Sequence, residues 1–373
     1  MLRTSDITSG SIDWATVPYC TEEPEVPDKY LVREGDILIS RAGSVGASHL
    51  VTHVEPAVFA SYLIRFQPND DVSAKYVAYF LCSPIYWRQI ADNTAGIAVP
   101  NVNASKLERI VLPLAPRGEQ DEIVAEIEKQ LSRLDEAVAI IRSAKTRLYA
   151  YRASVLSAVQ TGALCGIDCG NWPTRSIGEL ATKVQYGSSA KTSATKKEMP
   201  VLRMGNIENG ELALDDLKYL PADYDEFPAL LLETGDLLFN RTNSPELVGK
   251  VAIYKGNPTP CSFASYLIRV RFIKEIAPEF VAYVLNSAFG RAWVRSVVSQ
   301  QVGQANVNGS KLKAFQFRVP PLDLQRELVA EAERHLSLIQ QSDAQLSAVA
   351  LRSVRLRSRL LARAFGSNPE ALM

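Results

Sequence analysis

The sequence has no run of about 18 consecutive apolar residues, so no segment of it is long enough to cross a bilayer as a helix. Its opening, MLRTSDITSG, lacks the basic-then-apolar order of an export signal, and the chain is expected to be cytoplasmic. An excess of one charge sign is missing too. The 41 Lys and Arg balance the 41 Asp and Glu, so net charge gives no argument for nucleic-acid binding, and any such role must rest on local patches. Cys20, Cys82, Cys165, Cys169 and Cys261 are odd in number and follow no repeated spacing, which argues for reduced thiols rather than a disulfide framework. There are only 3 histidines. His49 and His53 make at most a weak metal pair and read as surface residues, so no metal site is expected.

Catalytic constellations are also absent. Val248-Gly249-Lys250-Val251 has neither the leader nor the hydroxyl of a phosphate-binding loop. No Asn/Asp-Pro-Pro-Tyr pocket for adenine methylation occurs, and Cys165-x-x-x-Cys169 has no partner ligands. The chain is read as a non-enzyme that binds no cofactor of its own. With 47% apolar and 22% charged residues it can still bury two separate cores.

What the sequence does contain is a repeat. Phe59-Ala60-Ser61-Tyr62-Leu63-Ile64-Arg65 returns residue for residue at Phe263 to Arg269. Gly35-Asp36 matches Gly235-Asp236, Val77-Ala78-Tyr79 matches Val281-Ala282-Tyr283, and Asn101-Val102-Asn103 matches Asn306-Val307-Asn308. A unit of about 200 residues is far too long for a solenoid repeat, so each copy is a domain with an appendage. The domain text is irregular, with short β-like runs after Gly35-Asp36 and Gly235-Asp236 and short helices over Ala74 to Leu81 and Pro278 to Leu285.

The appendages differ in period. From Glu119 to about Gln160 there is no Gly or Pro, and Ile127, Leu131, Leu134, Val138, Ile141, Leu148 and Val155 fall at steps of four and three. Such a helix is about 60 Å long. Leu336, Ile339, Leu346, Val349, Leu356 and Leu360 make a second seam after Asp323, and Gly166 and Gly366 are expected as the two helix stops. Two long seams in one chain satisfy each other, and a compact domain between them brings its ends together, which predicts an antiparallel coiled coil with pseudo-two-fold symmetry, a dumbbell. The alternative is that each helix packs on its own domain. The expected class is α/β, of the α+β kind. The expected order is a first domain over 1–116, a long spacer helix over 117–164, a second domain over 165–321, a second spacer helix over 322–366 and a tail over 367–373.

This layout resembles the specificity subunit of type I restriction–modification systems. The resemblance rests on Glu34-Gly35-Asp36-Ile37-Leu38-Ile39-Ser40-Arg41 with Thr234-Gly235-Asp236-Leu237-Leu238-Phe239-Asn240-Arg241, on Asn101 to Leu107, on Pro113 to Gln120 and Pro320 to Gln325 ahead of the helices, and on Trp172-Pro173 with Ile177 to Leu180. It covers essentially the whole chain. It implies a double-stranded DNA partner, two methylation subunits docked on the symmetric frame, restriction subunits beyond them, and S-adenosylmethionine, ATP and Mg held by those partners. Two different readers on a spacer imply a bipartite, asymmetric target, as half-site spacing mirrors reader spacing. Glu126, Arg133, Arg142, Glu331 and Leu338 on the helices are possible partner contacts. Two alternatives stay open: an orphan or silent-cassette subunit serving a methyltransferase only, or a coiled-coil adaptor that does not bind DNA. The repeat also serves as a ruler. Leu2-Arg3 aligns with Leu202-Arg203, so the counterpart of Trp172 through Val201, about 30 residues, is not in the first copy; either the start lies upstream of Met1 or the first domain is shortened.

Residues suited to contact DNA are Gln185, Tyr186, Ser188, Lys191, Lys196 and Lys197 in a polar, basic loop. Arg41 and Arg241 occupy the same place after the Gly-Asp strand and suit either phosphate contact or a scaffold ion pair, with Ser44 and Asn243 close behind them in sequence. Asn101 and Asn306, with Asn103 and Asn308, suit DNA contact or capping of their own backbone. Arg65 and Arg269, among alternating apolar residues, read as structural.

Overall fold

Gly35 and Gly235 adopt φ values of +87° and +91°, a region that suits glycine, and each turns the chain into a fully buried strand, Ile37–Ser40 and Leu237–Asn240. The computed structural model describes residues 1–8, 10–22, 27–94, 101–194, 199–301 and 304–366. It divides into two compact units, one of residues 1–143 with 346–373 and one of residues 144–345.

In the first unit Ile37–Ser40 is the centre of a three-stranded antiparallel sheet, flanked by Ser48–Leu50 and Leu63–Phe66. Alternate residues face opposite sides. Ile37 and Ile39 pack against Tyr76, Phe80 and Tyr86 of helices Ala74–Leu81 and Pro84–Thr94, while Leu38 packs against Leu2, Ile7, Val32 and Val51.

The second unit repeats this plan and adds to it. Its main sheet runs in the order Val251–Ile253, Leu237–Asn240, Leu267–Phe272, Ala181–Tyr186, all antiparallel. Leu237 and Phe239 face helices Pro278–Asn286 and Ala288–Val297, and Leu238 faces Leu202, Leu230 and Phe263. A small sheet joins Ser262–Phe263, Met199–Leu202 and Lys218–Leu220, and strand Thr174–Ser176 pairs with Gln316–Arg318.

Each long helix is fastened to its domain by one buried glutamine. Gln120 Oε1 accepts the Ser73 N–H at 2.8 Å, and its Nε2 donates to the Ala115 and Asp71 carbonyls at 2.8 and 3.1 Å. Gln325 repeats the pattern with the Ala277 N–H at 2.9 Å and the Pro320 and Glu275 carbonyls at 2.8 and 3.2 Å. The helices themselves are Arg117–Thr161, 45 residues, and Leu322–Ala364, 43 residues.

Within each unit the two helices run antiparallel. In the first, Ile127 and Leu131 share a cluster with Leu361, Ala364 and Phe365, and Arg357 pairs with Asp135 at 2.9 Å. In the second, Val155 and Val159 meet Leu328, Ala332 and Ile339, Lys145 pairs with Asp343 at 3.4 Å, and Tyr151 Oη meets His335 Nδ1 at 2.7 Å. Ile141 is buried as well, and Leu134, Val138, Leu148, Leu336, Leu346 and Leu360 are half-buried.

Two expectations need correction. Val349 and Leu356 are exposed, because after Leu346 the inward face passes through Ala350 and Ser353 rather than through those two residues. The first helix stops at Gly162, not Gly166. Gly162 adopts φ +78° and a Cβ there would lie 2.5 Å from the Ile167 carbonyl, whereas Gly166 closes the short 3-10 turn Ala163–Cys165. The tail over 367–373 lies outside the described residues.

Candidate nucleic-acid interface

Arg241 leaves the buried strand Leu237–Asn240 and is fixed by its backbone, its N–H donating to the Tyr266 carbonyl at 3.0 Å and its carbonyl accepting the Val307 N–H at 2.9 Å. Arg41 is held the same way, by the Tyr62 carbonyl at 2.9 Å and the Val102 N–H at 3.0 Å. The heptapeptide and the Asn-Val-Asn turn thus fix the backbone of an arginine at the end of the Gly-Asp strand.

In the second unit a group of polar residues gathers around that arginine. The Arg241 guanidinium lies 4.8 Å from the centre of the Tyr186 ring, and Nη2 reaches Asn306 Oδ1 at 3.5 Å. Asn306 Nδ2 donates to Thr242 Oγ1 at 2.8 Å, and Tyr186 Oη accepts the Gly309 N–H at 2.7 Å. Strand Thr242–Asn243 pairs with Gln304–Asn306, which sets Asn243 opposite Ala305. No carboxylate pairs with Arg241 among the described residues, and cation–π stacking on Tyr186 holds its guanidinium without neutralising it.

Gln185, Tyr186 and Ser188 lie along one path, yet they do different things. Gln185 accepts a hydrogen bond from Arg269 and is half-buried. Ser188 is buried, its carbonyl accepting the Ser265 N–H at 2.7 Å and its hydroxyl donating to Tyr224 Oη at 3.3 Å. Gly187 lets the path hug the heptapeptide, since a Cβ there would come within 2.2 Å of the Phe263 carbonyl. Lys191 and Ser44 are exposed, whereas Lys196 and Lys197 lie outside the described residues.

The asparagines divide as well. Asn103 and Asn308 accept the Lys106 and Lys311 N–H groups at 3.0 and 2.9 Å, capping the short helices Ala104–Leu107 and Gly309–Lys313. Asn101 is exposed, and its carbonyl accepts from Lys106 Nζ at 3.0 Å.

Arg65 and Arg269 belong to the frame. Asp236 accepts the Glu233 N–H at 2.9 Å and pairs with Arg271 at 2.5 Å and Arg269 at 3.6 Å; Asp36 accepts the Arg33 N–H at 2.8 Å with Arg65 at 3.8 Å. Burial lowers the pKa of Arg269 and Asp236 opposes that, while hydrogen bonding to Asp236 raises the pKa of Arg271. Among the described residues no His, Cys, Asp and Glu gather in threes to hold a metal.

Sequence reasoning passed over Tyr62 and Tyr266. Taken with the rest of the repeated heptapeptide as scaffold, they are 61% and 46% exposed, and their carbonyls anchor the two arginines. Both lie in the turn just ahead of strands Leu63–Phe66 and Leu267–Phe272, where a large aromatic was the available signal. Tyr and Arg side by side suit phosphate and base contact.

A family model, type I restriction modification DNA specificity domain, matches residues 5–148 and 170–347. The specificity subunit of the StySPI type I restriction enzyme of Salmonella potsdam is 24% identical over 98% of this chain and 81% of its own length, and that of EcoKI from Escherichia coli strain K12 is 24% identical with the same coverage. Among solved structures, a chain from work on complex assembly and conformational transition of the type I R-M system aligns with a TM-score of 0.74 at 17% identity, covering 90% of this chain and 83% of that one. The HsdS subunit from Thermoanaerobacter tengcongensis aligns at 0.55 and 18% identity, covering 92% and 84%. The family model, matched once in each repeat, thus defines a tandem DNA specificity chain. The chain belongs to the family of type I restriction–modification specificity subunits.

Proposed function

We propose that this chain reads a bipartite, asymmetric DNA sequence, one short half-site per domain, and carries two methylation subunits and further restriction subunits to it. The reading is supported above all by one observation: both domains hold an arginine at the same backbone position beside an exposed tyrosine, Arg41 with Tyr62 and Arg241 with Tyr266, while the residues directly after the arginines, Ala42-Gly43 against Thr242-Asn243, differ. Matching arginines suit the phosphate backbone, which is alike at every site. Base reading then falls to the neighbouring residues that do not repeat, such as Tyr186, Asn243 and Lys191 in the second domain. Partners of one kind suit a frame that occurs twice. Exposed apolar residues on the helices, Leu338, Val349, Val354 and Leu356, suit protein docking. In this reading S-adenosylmethionine, ATP and Mg belong to the partners, and no group on this chain performs a chemical step.

The test is co-expression with the methylation subunits followed by modification-sensitive sequencing. One two-part motif carrying N6-methyladenine is expected, and methylation without sequence preference, or with a single half-site specified, overturns the reading. Arg241→Ala should weaken DNA binding about tenfold and reduce the salt slope by about one, with the second half-site affected and the far-UV spectrum unchanged.

A further inference from the structure

Helix Leu322–Ala364 changes its charge halfway along. After Asp343 it carries Arg352, Arg355, Arg357, Arg359 and Arg363 with no Asp or Glu among them. Arg357 serves the helix pair itself, joined to Asp135 of the other long helix at 2.9 Å. The remaining four recur at steps of three and four, which stacks them in one row along the helix surface. All four are exposed, and among the described residues none pairs with a carboxylate. Carboxylates of the facing helix are engaged elsewhere: Asp121 with Arg117 at 3.4 Å, Glu126 with Lys129 at 3.0 Å and Glu128 with Lys75 at 2.8 Å.

Forces inside the helix do not account for the row. The macrodipole favours a cation in the last turn only, which covers Arg363, and like charges four apart, Arg355 with Arg359 and Arg359 with Arg363, oppose the helix. The repeat does not account for it either. In register from Gln120 and Gln325, the places of the four arginines are held in Arg117–Thr161 by Arg147, Ala150, Ser154 and Ala158, so the row occurs once in the chain. A partner present in two copies would use a surface that occurs twice. Nor does the row have the apolar centre of a protein interface. Ala348 and Ala362 are the apolar residues on its outer side, while Val349 and Leu356, four before and three after buried Ser353, lie toward the seam.

We infer that Arg352, Arg355, Arg359 and Arg363 form a phosphate-contact row that holds double-stranded DNA without reading its bases; this rests on the reading that the chain binds DNA. Arginines clustered along one helix are the electrostatic footprint of a nucleic-acid surface. From Arg352 to Arg363 the helix rises about 16 Å, a length over which a duplex presents about ten phosphates, so each guanidinium can meet one of its own. The row lies on the part of the helix seated in the first unit, where Phe365 packs edge-on to Tyr76 and Phe80 at 5.0 and 5.6 Å, so its carrier is fixed to the domain that holds Arg41. It adds affinity, common to every sequence, to a site whose choice of sequence is made elsewhere.

The chain co-purified with its methylation subunits is titrated into a labelled duplex of about 40 base pairs and arbitrary sequence, by fluorescence anisotropy from about 50 to 200 mM salt. Changing all four residues, Arg352→Gln, Arg355→Gln, Arg359→Gln and Arg363→Gln, keeps helix propensity and should lower the slope of log affinity against log salt by about three to four, with binding at least about tenfold weaker at low salt. Arg355→Gln alone should lower the slope by about one. A control with the same loss of charge, Arg117→Gln, Arg175→Gln, Arg326→Gln and Arg334→Gln, at arginines already paired with Asp121, Glu179, Asp323 and Glu331, should move it by less than about one. A thermal melt establishes that each variant is folded. An unchanged slope in the fourfold variant, or an equal fall in the control, overturns the inference and leaves the proposed reader function standing. Loss of the methylation subunits from the purified fourfold variant overturns it too, since the row is then a protein-docking face. If the unaltered complex binds no duplex, the reader function itself fails, and the row with it.

Discussion

Arg269 donates to the carbonyls of Leu231 and Ala229 and to Gln185, and its guanidinium is closed off from water 3.6 Å from the equally buried Asp236. Asp236 keeps Arg271 at 2.5 Å when Arg269 is removed, but the Leu231 and Ala229 carbonyls and Gln185 lose a buried donor, so Arg269→Ala should cost about 1–3 kcal/mol in chemical denaturation. Arg65→Ala should cost clearly less, because Arg65 remains in touch with solvent and Asp36 keeps its bond from Gln67 at 2.7 Å. Cys261 supplies a pH test. Burial pushes its thiol up to about 12 from an ordinary 9.0. Between those values the unfolded chain has lost a proton that the folded chain keeps, so this thiol makes stability fall as pH rises above about 9. Urea melts at pH 8 and pH 10 should show a smaller loss in Cys261→Val than in the unaltered chain. The same thiol should resist a thiol reagent in the native state while exposed Cys20 reacts at once. At this scale sequence placed Arg65 and Arg269 in the frame correctly from their alternating apolar neighbours. It could not separate Asn103 from Asn101, since a cap is known only by the N–H that the side chain meets.

The long helices were legible because nothing in them breaks a helix, and the short ones because their aromatic residues recur at helical steps. The second seam was legible only in part. Ala350 and Ser353 fill the buried face with little hydrophobic signal, so the apolar Val349 and Leu356 beside them drew the reading away. Ser353→Leu should therefore destabilise by about 1–3 kcal/mol through overpacking, while Leu356→Ser should leave the melting temperature within a degree or two of the original. The glutamine fasteners make a parallel test. Gln120→Ala and Gln325→Ala each leave one buried N–H and two carbonyls without their partner, and each should cost about 1–3 kcal/mol. Thermal shift measures all four variants. The hairpin Ser299–Gln301 with Gln304–Asn306 was not foreseen, since its strands are too short for their period to show.

Across the whole chain the repeat carried most of what sequence could say, because matched anchors fix equivalent positions without any model of either domain. It could not say which surfaces the unmatched stretches cover. Native hydrogen exchange should make that difference visible, with amides of Leu63–Phe66 exchanging at least about tenfold faster than those of Leu267–Phe272, whose outer edge is paired. The glutamine fasteners carry a broader implication. Four of the six bonds that Gln120 and Gln325 make between them go to carbonyls and two to N–H groups, and every one of these partners is main chain. Main-chain partners are the same whatever side chains surround them. A joint built this way is blind to the wording of the loops beside it, so those loops can be rewritten freely while each domain keeps its seat on the helix.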